Sequence, residues 1–482
     1  MTAPTHSDVL IIGAGSAGSV LAERLSEDRA CTVTVVEAGP GPADDGVRAM
    51  TDDGLRLPIG SASPLVARYD TTLTDGSRHV ARLVRGATVG GSGAVNGGYF
   101  CRAVRSDFAE WDLPGWSWDD VLPHYRAIET DLDFGDADPH GGAGPIRVGR
   151  TRDLQGSSAL FADDAARAGY PWLADLNATP GLPTGVGAVP LNIVDGVRLG
   201  PGAVFLVPAL GRPNLTALTG RRALRVVIVR GRAIGVDVVG PGGVQRLAAD
   251  RIVLCCGAIG TAHLLMLSGV GPESMLAAAG VRTVLPAAVG ARTIDHPEWV
   301  LPTTWTVAPG RPVLEVVLST ADGIEVRPYT GGFIAMIGDA ATGRPDWPHM
   351  GVALMKPRSR GRITLASAQA TVPPRIEHRY DTVADDVAAL AAGAQLVREI
   401  VYGTTELGEP SWSTSQHLCG SAPMGSPGDD GAVLDERCRV RGLDGLWVID
   451  GAALPSIPSR GPHATTVMLA HRAAEFVLSS SM

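Results

Sequence analysis

Val9-Leu-Ile-Ile12 followed by Gly13-Ala-Gly15-Ser16-Ala-Gly18 is the stretch on which the fold turns. Four apolar residues in a row read as a buried strand, and the glycines after them have GxGxxG spacing. The first glycine permits a tight turn, the second lets backbone approach a pyrophosphate, and the third lets a helix pack on the strand. A helix is expected from there to about residue 27, with Val20, Leu21 and Leu25 on one side. Its free N-terminal amides, with Ser16 in the first turn, favour an anion. A second strand over residues 32–36 ends at Glu37, 19 residues beyond Gly18. That acid is placed to accept hydrogen bonds from a ribose. Strand, glycines, helix, strand and acid in register predict an α/β, Rossmann-like dinucleotide-binding domain. The opening alone does not separate NAD from FAD.

The chain has 482 residues, 45% of them hydrophobic, enough for a large core. Length alone suggests about three domains, but cofactor-type motifs at both ends argue for two interleaved ones. A net charge of −9 without a basic tail argues against a nucleic-acid partner. Lys356 is the only lysine. Six cysteines lack CxxC or zinc spacing, so we expect buried thiols, no metal site and a cytoplasmic protein. The N-terminus has no basic region leading into a long apolar run, so no signal peptide is expected. Residues 252–272 carry no charge apart from His263 and approach the length of a membrane span. Gly257, Gly260, Gly269 and Gly271 interrupt them, so they read as a buried strand, a turn and a short helix.

Further along, residues 224–229 and 234–239 form apolar runs either side of Arg230-Gly231-Arg232, the pattern of a hairpin. A strand over 252–255 returns to the core. After Pro297 alternating runs at 314–318 and 324–326 predict strands, and 384–401 a helix. The tail regains α/β character with a strand at 446–449 and a closing helix over 465–478. The dinucleotide domain is therefore expected to be discontinuous, 1–297 with 415–482, including a lid-like region at about 85–125. Residues 298–414 are expected to be an inserted α+β substrate domain with a mixed or antiparallel sheet.

A second glycine-rich stretch, Arg85-Gly-Ala-Thr-Val-Gly-Gly91-Ser92-Gly93-Ala-Val-Asn96-Gly97-Gly98, carries a single amide side chain. Its shape resembles the first signature of the glucose–methanol–choline (GMC) oxidoreductases, with Gly93 where a second Ser is usual. Asp107-Phe-Ala-Glu-Trp111 and Pro114-Gly-Trp-Ser-Trp-Asp-Asp-Val-Leu-Pro123 resemble the family's following stretch. Gly257 to Pro272 resembles its second signature, with Thr261-Ala262 replacing Ser-Pro. Asp295-His-Pro297 matches a family tripeptide, although Arg292-Thr293 precede it in place of Asn-Leu. His263 and His296 are assigned structural roles. His417-Leu-Cys-Gly-Ser-Ala-Pro-Met424, Leu446-Trp-Val-Ile-Asp450-Gly451, Pro455-Ser-Ile-Pro458 and His463-Ala464-Thr465-Thr466 follow the family's closing pattern in its His/His form. The likeness covers most of 8–297 and 415–482 and is weak in 298–414.

The resemblance implies FAD, held by Gly13, Gly15, Ser16, Gly18, Glu37, Gly91, Ser92, Asn96, Gly97, Ala223, Asp450, Gly451, Ala464 and Thr465. It implies an FAD-dependent dehydrogenase of CH–OH donors, with His417 and His463 as catalytic pair. The chemistry agrees: an imidazole, with a free pKa near 6.5, can take a hydroxyl proton as hydride leaves the carbon. One histidine would be the base and the other the alkoxide's hydrogen-bond partner. Amides at the start of the closing helix would face the flavin's pyrimidine edge.

The 298–414 segment is short for the family and suits a bulky alcohol. With the Ser421-Ala-Pro-Met-Gly425 and Pro458-Ser-Arg-Gly-Pro-His-Ala-Thr-Thr466 wording, the chain resembles the mycofactocin-associated branch. That likeness implies mycofactocinol as substrate, a quinone-like or respiratory acceptor, no transmembrane segment, and scope for peripheral membrane contact. An alcohol oxidase, an NAD-dependent dehydrogenase and a non-redox relative of the hydroxynitrile-lyase kind stay open; bound yellow flavin excludes the NAD reading.

Overall fold

A computed structural model of the chain describes residues 5–479 apart from 43–44, 77–78, 136, 179, 338, 340–345 and 404. The opening strand is His6–Ile12, with Val9 to Ile12 almost fully buried. It lies between Val33–Val36 and the long strand Gly243–Leu254, parallel to both. Leu215–Leu218 adds a further parallel strand beyond Val33–Val36. On the other side, the first half of Gly243–Leu254 pairs antiparallel with Arg232–Gly240, which forms the expected hairpin with Arg222–Val229. Its second half pairs parallel with Leu446–Val448, so the C-terminal segment returns to the heart of the first sheet.

Helix Ser16–Leu25 leaves the opening strand at once, because Gly13 adopts φ +99° and any Cβ there would lie 2.5 Å from the Cys255 carbonyl oxygen. A Cβ on Gly18 would strike the Gly13 carbonyl, the close helix–strand approach that the third glycine was expected to allow. The closing helix, His463–Leu478, packs on Ser16–Leu25 and buries Ala464, Val467, Met468 and Leu469. Each fully buried large aliphatic side chain contributes about 1.5–3 kcal/mol. The uncharged stretch after Ile252 is a strand end and the 11-residue helix Gly257–Leu267. No helix among the described residues is long and apolar enough to cross a membrane.

The second sheet runs Ser411–Thr414, Pro297–Pro302, Pro348–Leu354, Ile324–Gly332, Val316–Ser319, Gly185–Ala188, Trp172–Leu173. All neighbours are antiparallel except the last pair. Helices Gly156–Arg167 and Ala384–Ile400 cover it around Phe161, Val326, Val352 and Leu390. This layer is wider than the expected 298–414 insertion, since it recruits two strands and a helix from residues 156–188. Conversely, Arg362–Thr364 and Arg375–Glu377 join Val66–Thr72 and Val80–Gly86 in a small sheet. Their Ile363 and Ile376 belong to the first core. Short strands such as Gly185–Ala188 carry too little pattern to reveal their partner in sequence.

Candidate active site

The two glycine stretches meet. Gly91, at φ +54°, sits so close to Gly15 that a Cβ would fall 2.7 Å from the Gly15 Cα. Helix Ser16–Leu25 has Gly15 as its N-cap and no side-chain cap, so its first amides are free for a ligand. Glu37 is buried, accepting from the Ala14 amide at 3.0 Å and the Gly39 amide at 2.9 Å. Burial raises its pKa, and those amides oppose the rise. Each carboxylate oxygen keeps a lone pair for ribose hydroxyls. Ala223 lies on the hairpin's first strand, two residues beyond Arg221, whose amide binds the Glu37 carbonyl at 2.9 Å.

Ser92 accepts from the Gly86 amide at 3.1 Å and opens a 3-10 turn, Gly91–Ala94. The turn is gripped by Arg198, which is fully buried and donates to the carbonyls of Asn96 (2.8 Å), Ala94 (3.3 Å), Thr51 (2.7 Å) and Arg56 (2.6 Å). Burial pushes its pKa down to about 10. Nothing in the spacing of an isolated arginine announces this role. Gly97, beside the turn, would place a Cβ 3.5 Å from Val313 of the second layer. Asp450 binds the Gly257 amide (2.8 Å), Thr261 hydroxyl (2.6 Å) and Ala452 amide (2.7 Å). Its carboxylate is thus engaged within the protein, and burial raises its pKa to about 6. Gly451 follows it in a short turn, its carbonyl accepting from the Gly420 amide at 2.9 Å.

His463 is the first residue of the closing helix, which starts two residues earlier than expected. Its Nδ1 lies 3.2 Å from the Asn96 Nδ2. The Asn96 Oδ1 accepts from the Gly98 amide at 3.0 Å, so Asn96 must donate to His463. The neutral ring then carries its proton on Nε2, and burial holds its pKa down at about 4. That Nε2 is buried with no hydrogen-bond partner among the described residues and lies beside Gly93 and Ser16. A Cβ on Gly93 would come within 2.8 Å of it, so the absence of the usual Ser makes room for the imidazole. The helix has no side-chain N-cap, which leaves the amides of Ala464 and Thr465 without helical acceptors. The Thr465 hydroxyl pairs with the Tyr125 hydroxyl at 2.8 Å.

His417 is held on the other side. Its amide donates to Asp295 at 2.8 Å, and its Nδ1 lies 2.9 Å from the Nδ1 of His296. Burial drives its pKa well below the free value, and His296, Arg327 and Arg85 add to the effect. Among the described residues no hydrogen bond reaches its Nε2; those of His417 run through its amide, its Nδ1 and its carbonyl. Gly461 packs against the Tyr99 ring, and a Cβ there would stand 3.5 Å from the His417 Cε1. His417 and His463 share neither a hydrogen bond nor a ring contact. His463 turns toward the glycine cradle, because the first turn of the helix fixes its direction, and Gly461 is the residue beside His417.

Below this edge lies a buried ionic network. Arg327 donates to Glu325 (2.8 Å) and Glu298 (2.9 Å), while Arg460 pairs with Glu325 at 3.1 Å. Tyr99 and Tyr329 cap the same two carboxylates, each at 2.8 Å. Glu129, Asp131 and His140 cluster closely enough to hold a metal ion. However, His140 contacts Asp131 and Asp175, Arg150 binds both acids, and the neighbours raise the His140 pKa to about 10. An imidazolium donating through both nitrogens offers no lone pair to a metal.

Two glycine loops with no room for a Cβ at Gly13, Gly18, Gly91 and Gly93, a buried acid at the second strand, two uncapped helix starts and a His463 donor unpaired among the described residues fit a dinucleotide carrying a further ring system. The GMC oxidoreductase N-terminal pattern matches residues 7–298 and its C-terminal pattern residues 357–470. The chain belongs to the GMC oxidoreductase family. A GMC-type oxidoreductase of Rhodococcus erythropolis is 42% identical, over 99% of both chains. An oxygen-dependent choline dehydrogenase of Vibrio vulnificus is 30% identical, over 98% of this chain and 94% of its own. Among solved structures, pyridoxine 4-oxidase from Mesorbium loti superposes with a TM-score of 0.88 at 28% identity, covering 99% of this chain and 100% of that one. The GMC chain described here is unmatched by either pattern over 299–356, which supplies the central strands of the second sheet.

Proposed function

We propose that this protein is an FAD-dependent oxidoreductase of alcohol CH–OH groups, with His417 as the base that takes the hydroxyl proton. The observation that carries the reading is the His417 Nε2, neutral and without a hydrogen bond among the described residues, on an imidazole held by main chain and ring at the edge of a dinucleotide cradle. Gly13, Gly15, Ser16, Gly18, Gly91, Ser92 and Gly97 shape the cradle, and Glu37 receives the adenosine ribose. Ala223 borders the adenine side. Asp450 and Gly451 set the turn beside the cofactor, and Asn96 orients His463 as a donor toward it. The amides of Ala464 and Thr465 present partial positive charge to the flavin, worth up to ~2 kcal/mol for an anion in partly buried geometry. When bound, the flavin accepts the hydride. His417 binds the alcohol oxygen and retains its proton, and the depressed pKa keeps it ready as base at neutral pH.

The finer reading is a dehydrogenase that oxidises mycofactocinol and passes electrons to a quinone-like or respiratory acceptor. It rests on the resemblance in the 421–425 and 458–466 wording. Cytoplasmic location with peripheral membrane contact goes with such an acceptor. Choline or pyridoxine, which the names of two relatives suggest, is the alternative alcohol. The charge pattern favours a neutral one: Glu298 and Glu325 are already paired with Arg327 and Arg460, so neither is free for a quaternary ammonium. The test is anaerobic mixing of yellow protein with mycofactocinol, choline and pyridoxine. Loss of flavin colour is expected with at least one; a flavin that none bleaches supports the non-redox alternative. Quinone-like dyes should restore the colour far faster than oxygen, and peroxide formed at the rate of turnover would make the enzyme an oxidase.

A further inference from the structure

The ring of His296 makes two contacts that together determine a proton position. It is fully buried. Its Nε2 lies 3.0 Å from the Pro458 carbonyl oxygen, and its Nδ1 lies 2.9 Å from the Nδ1 of His417. The two rings stand nearly perpendicular, at 87° with centroids 5.1 Å apart, so the lone pair of one can meet the N–H of the other. A carbonyl oxygen only accepts, so His296 must carry hydrogen on Nε2. A neutral imidazole has one N–H, which leaves the His296 Nδ1 as an acceptor. The proton between the two Nδ1 atoms therefore belongs to His417, and the His417 Nε2 is left with its lone pair.

The carbonyl that starts this chain is itself fixed. The same peptide's N–H, on Ser459, donates to Asp107 at 3.0 Å, and the Ser459 hydroxyl is bonded to that carboxylate too. At the other end Asp295 accepts the His417 amide at 2.8 Å, while its second oxygen takes the Tyr380 hydroxyl at 2.8 Å and the Thr414 hydroxyl at 2.6 Å. Adjacent residues Asp295 and His296 thus hold His417 by main chain and ring respectively. His463 has the opposite arrangement: the Asn96 amide donates to its Nδ1 and places the proton on Nε2. The protein distinguishes an accepting imidazole from a donating one by what faces each Nδ1.

We propose that His296 is a positioning residue that fixes His417 as the Nδ1–H tautomer, presenting an unprotonated Nε2 to the alcohol hydroxyl. The inference rests on the reading of His417 as base. During turnover the alcohol O–H bond breaks and its proton goes to the His417 Nε2. The Nδ1–H bond to His296 persists and steadies the imidazolium, since orienting a catalytic histidine and fixing its tautomer is a large part of what a partner behind it contributes.

The direct test is nitrogen NMR of the FAD-loaded protein labelled with ¹⁵N-histidine, assigned with His296→Gln and His417→Gln. Wild type should show His417 protonated on Nδ1 and bare on Nε2, and His296 the reverse. A His417 protonated on Nε2 overturns the proposal without any activity being measured. The kinetic arm follows anaerobic bleaching by whichever of mycofactocinol, choline or pyridoxine reduces the wild type. His296→Gln keeps one donor and one acceptor and should bleach within about threefold of wild type. His296→Leu should retain FAD but slow bleaching by about 10- to 100-fold. That deficit should shrink at high pH, where the alcohol ionises unaided. The groups facing His417 are His296, Asp295, Arg327, Arg85 and Tyr99, and all but His296 are unchanged in the comparison. Equal slowing by Gln and Leu, or the same deficit at every pH, would show a merely structural role. If His296→Leu fails to hold FAD, the wild-type and Gln spectra still decide. Wild-type bleaching by His417→Ala would end the base assignment while leaving the tautomer measurement intact, so the two failures are distinguishable.

Discussion

Substituting Gly93 by Ala asks whether His463 shapes the cofactor cradle. The new Cβ would lie 2.8 Å from the His463 Nε2, 2.5 Å from the Ser16 Oγ and 3.1 Å from the Pro201 Cδ. The Ser16 hydroxyl can rotate away, but the imidazole cannot bend. Restoring an ordinary contact of 3.4 Å moves the ring about 0.6 Å, disturbing the 3.2 Å bond that Asn96 makes to its other nitrogen. Overpacking of this kind costs about 1–3 kcal/mol. Without FAD the ring can swing into the cradle, whereas bound FAD fills that space, so the cost falls on the complex. FAD affinity should therefore drop by about 5- to 150-fold, measured by titrating apoprotein and following flavin fluorescence. Gly242→Ala, where a Cβ meets nothing within 4 Å, should leave affinity unchanged. In a His463→Ala background most of the Gly93→Ala penalty should vanish, because coupled neighbours are not additive. An undiminished penalty there, or none in the single variant, would refute the clash.

Three other expectations test separate parts of the account. Glu37→Ala removes the carboxylate that ties Ala14 to Gly39 and should weaken FAD binding by about 1.5–3 kcal/mol; equal FAD occupancy after dilution of both proteins would contradict this. Because the His417 pKa lies well below 6.5, the bleaching rate should stay level as pH falls from 8 through 6.5, and a decline centred near 6.5 would show that the base is not this imidazole. His296 and His378, buried at 0% and 2% exposure with pKa values near 4, bind protons in the unfolded chain before the folded one. Stability should thus fall as pH drops from 6.5 to 4, by about 3 kcal/mol for each. His140, raised to about 10, has its stabilisation fully present below 6.5 and does not offset the loss; Asp450, raised to about 6, works the other way below that pH. Urea midpoints unchanged between pH 7 and 5 would count against the two buried neutral rings.

What could be read from sequence was whatever has a local cause. Gly13 announces a turn in the left-handed region and Gly18 a close approach of helix to strand, and the helix and strands around them follow. The hairpin at 222–240 and the helix Ala384–Ile400 were visible as periodic patterns. Contacts that join distant segments left no such trace. Residues 172–188 give no sign that they pair with Val316–Ser319, because four-residue strands of small apolar residues suit many partners. Arg198 and His296 act on atoms 102 and 121 residues away, so neither looks different from any other arginine or histidine. The different partners of His417 and His463 were also hidden. Spacing brings both to one module, but the direction of each ring depends on Asn96 and His296, which come from other segments.

The measurement that bears most directly on the account is anaerobic flavin bleaching by alcohol in His417→Ala, with FAD content determined in the same samples. The variant should bind FAD as wild type does, since the hydrogen bonds of His417 go to His296, Asp295 and Cys419 rather than to the glycines of either loop. It should bleach about 100-fold or more slowly, with the deficit narrowing as pH rises. Bleaching at the wild-type rate with FAD fully bound would show that another group takes the proton and that His417 only packs.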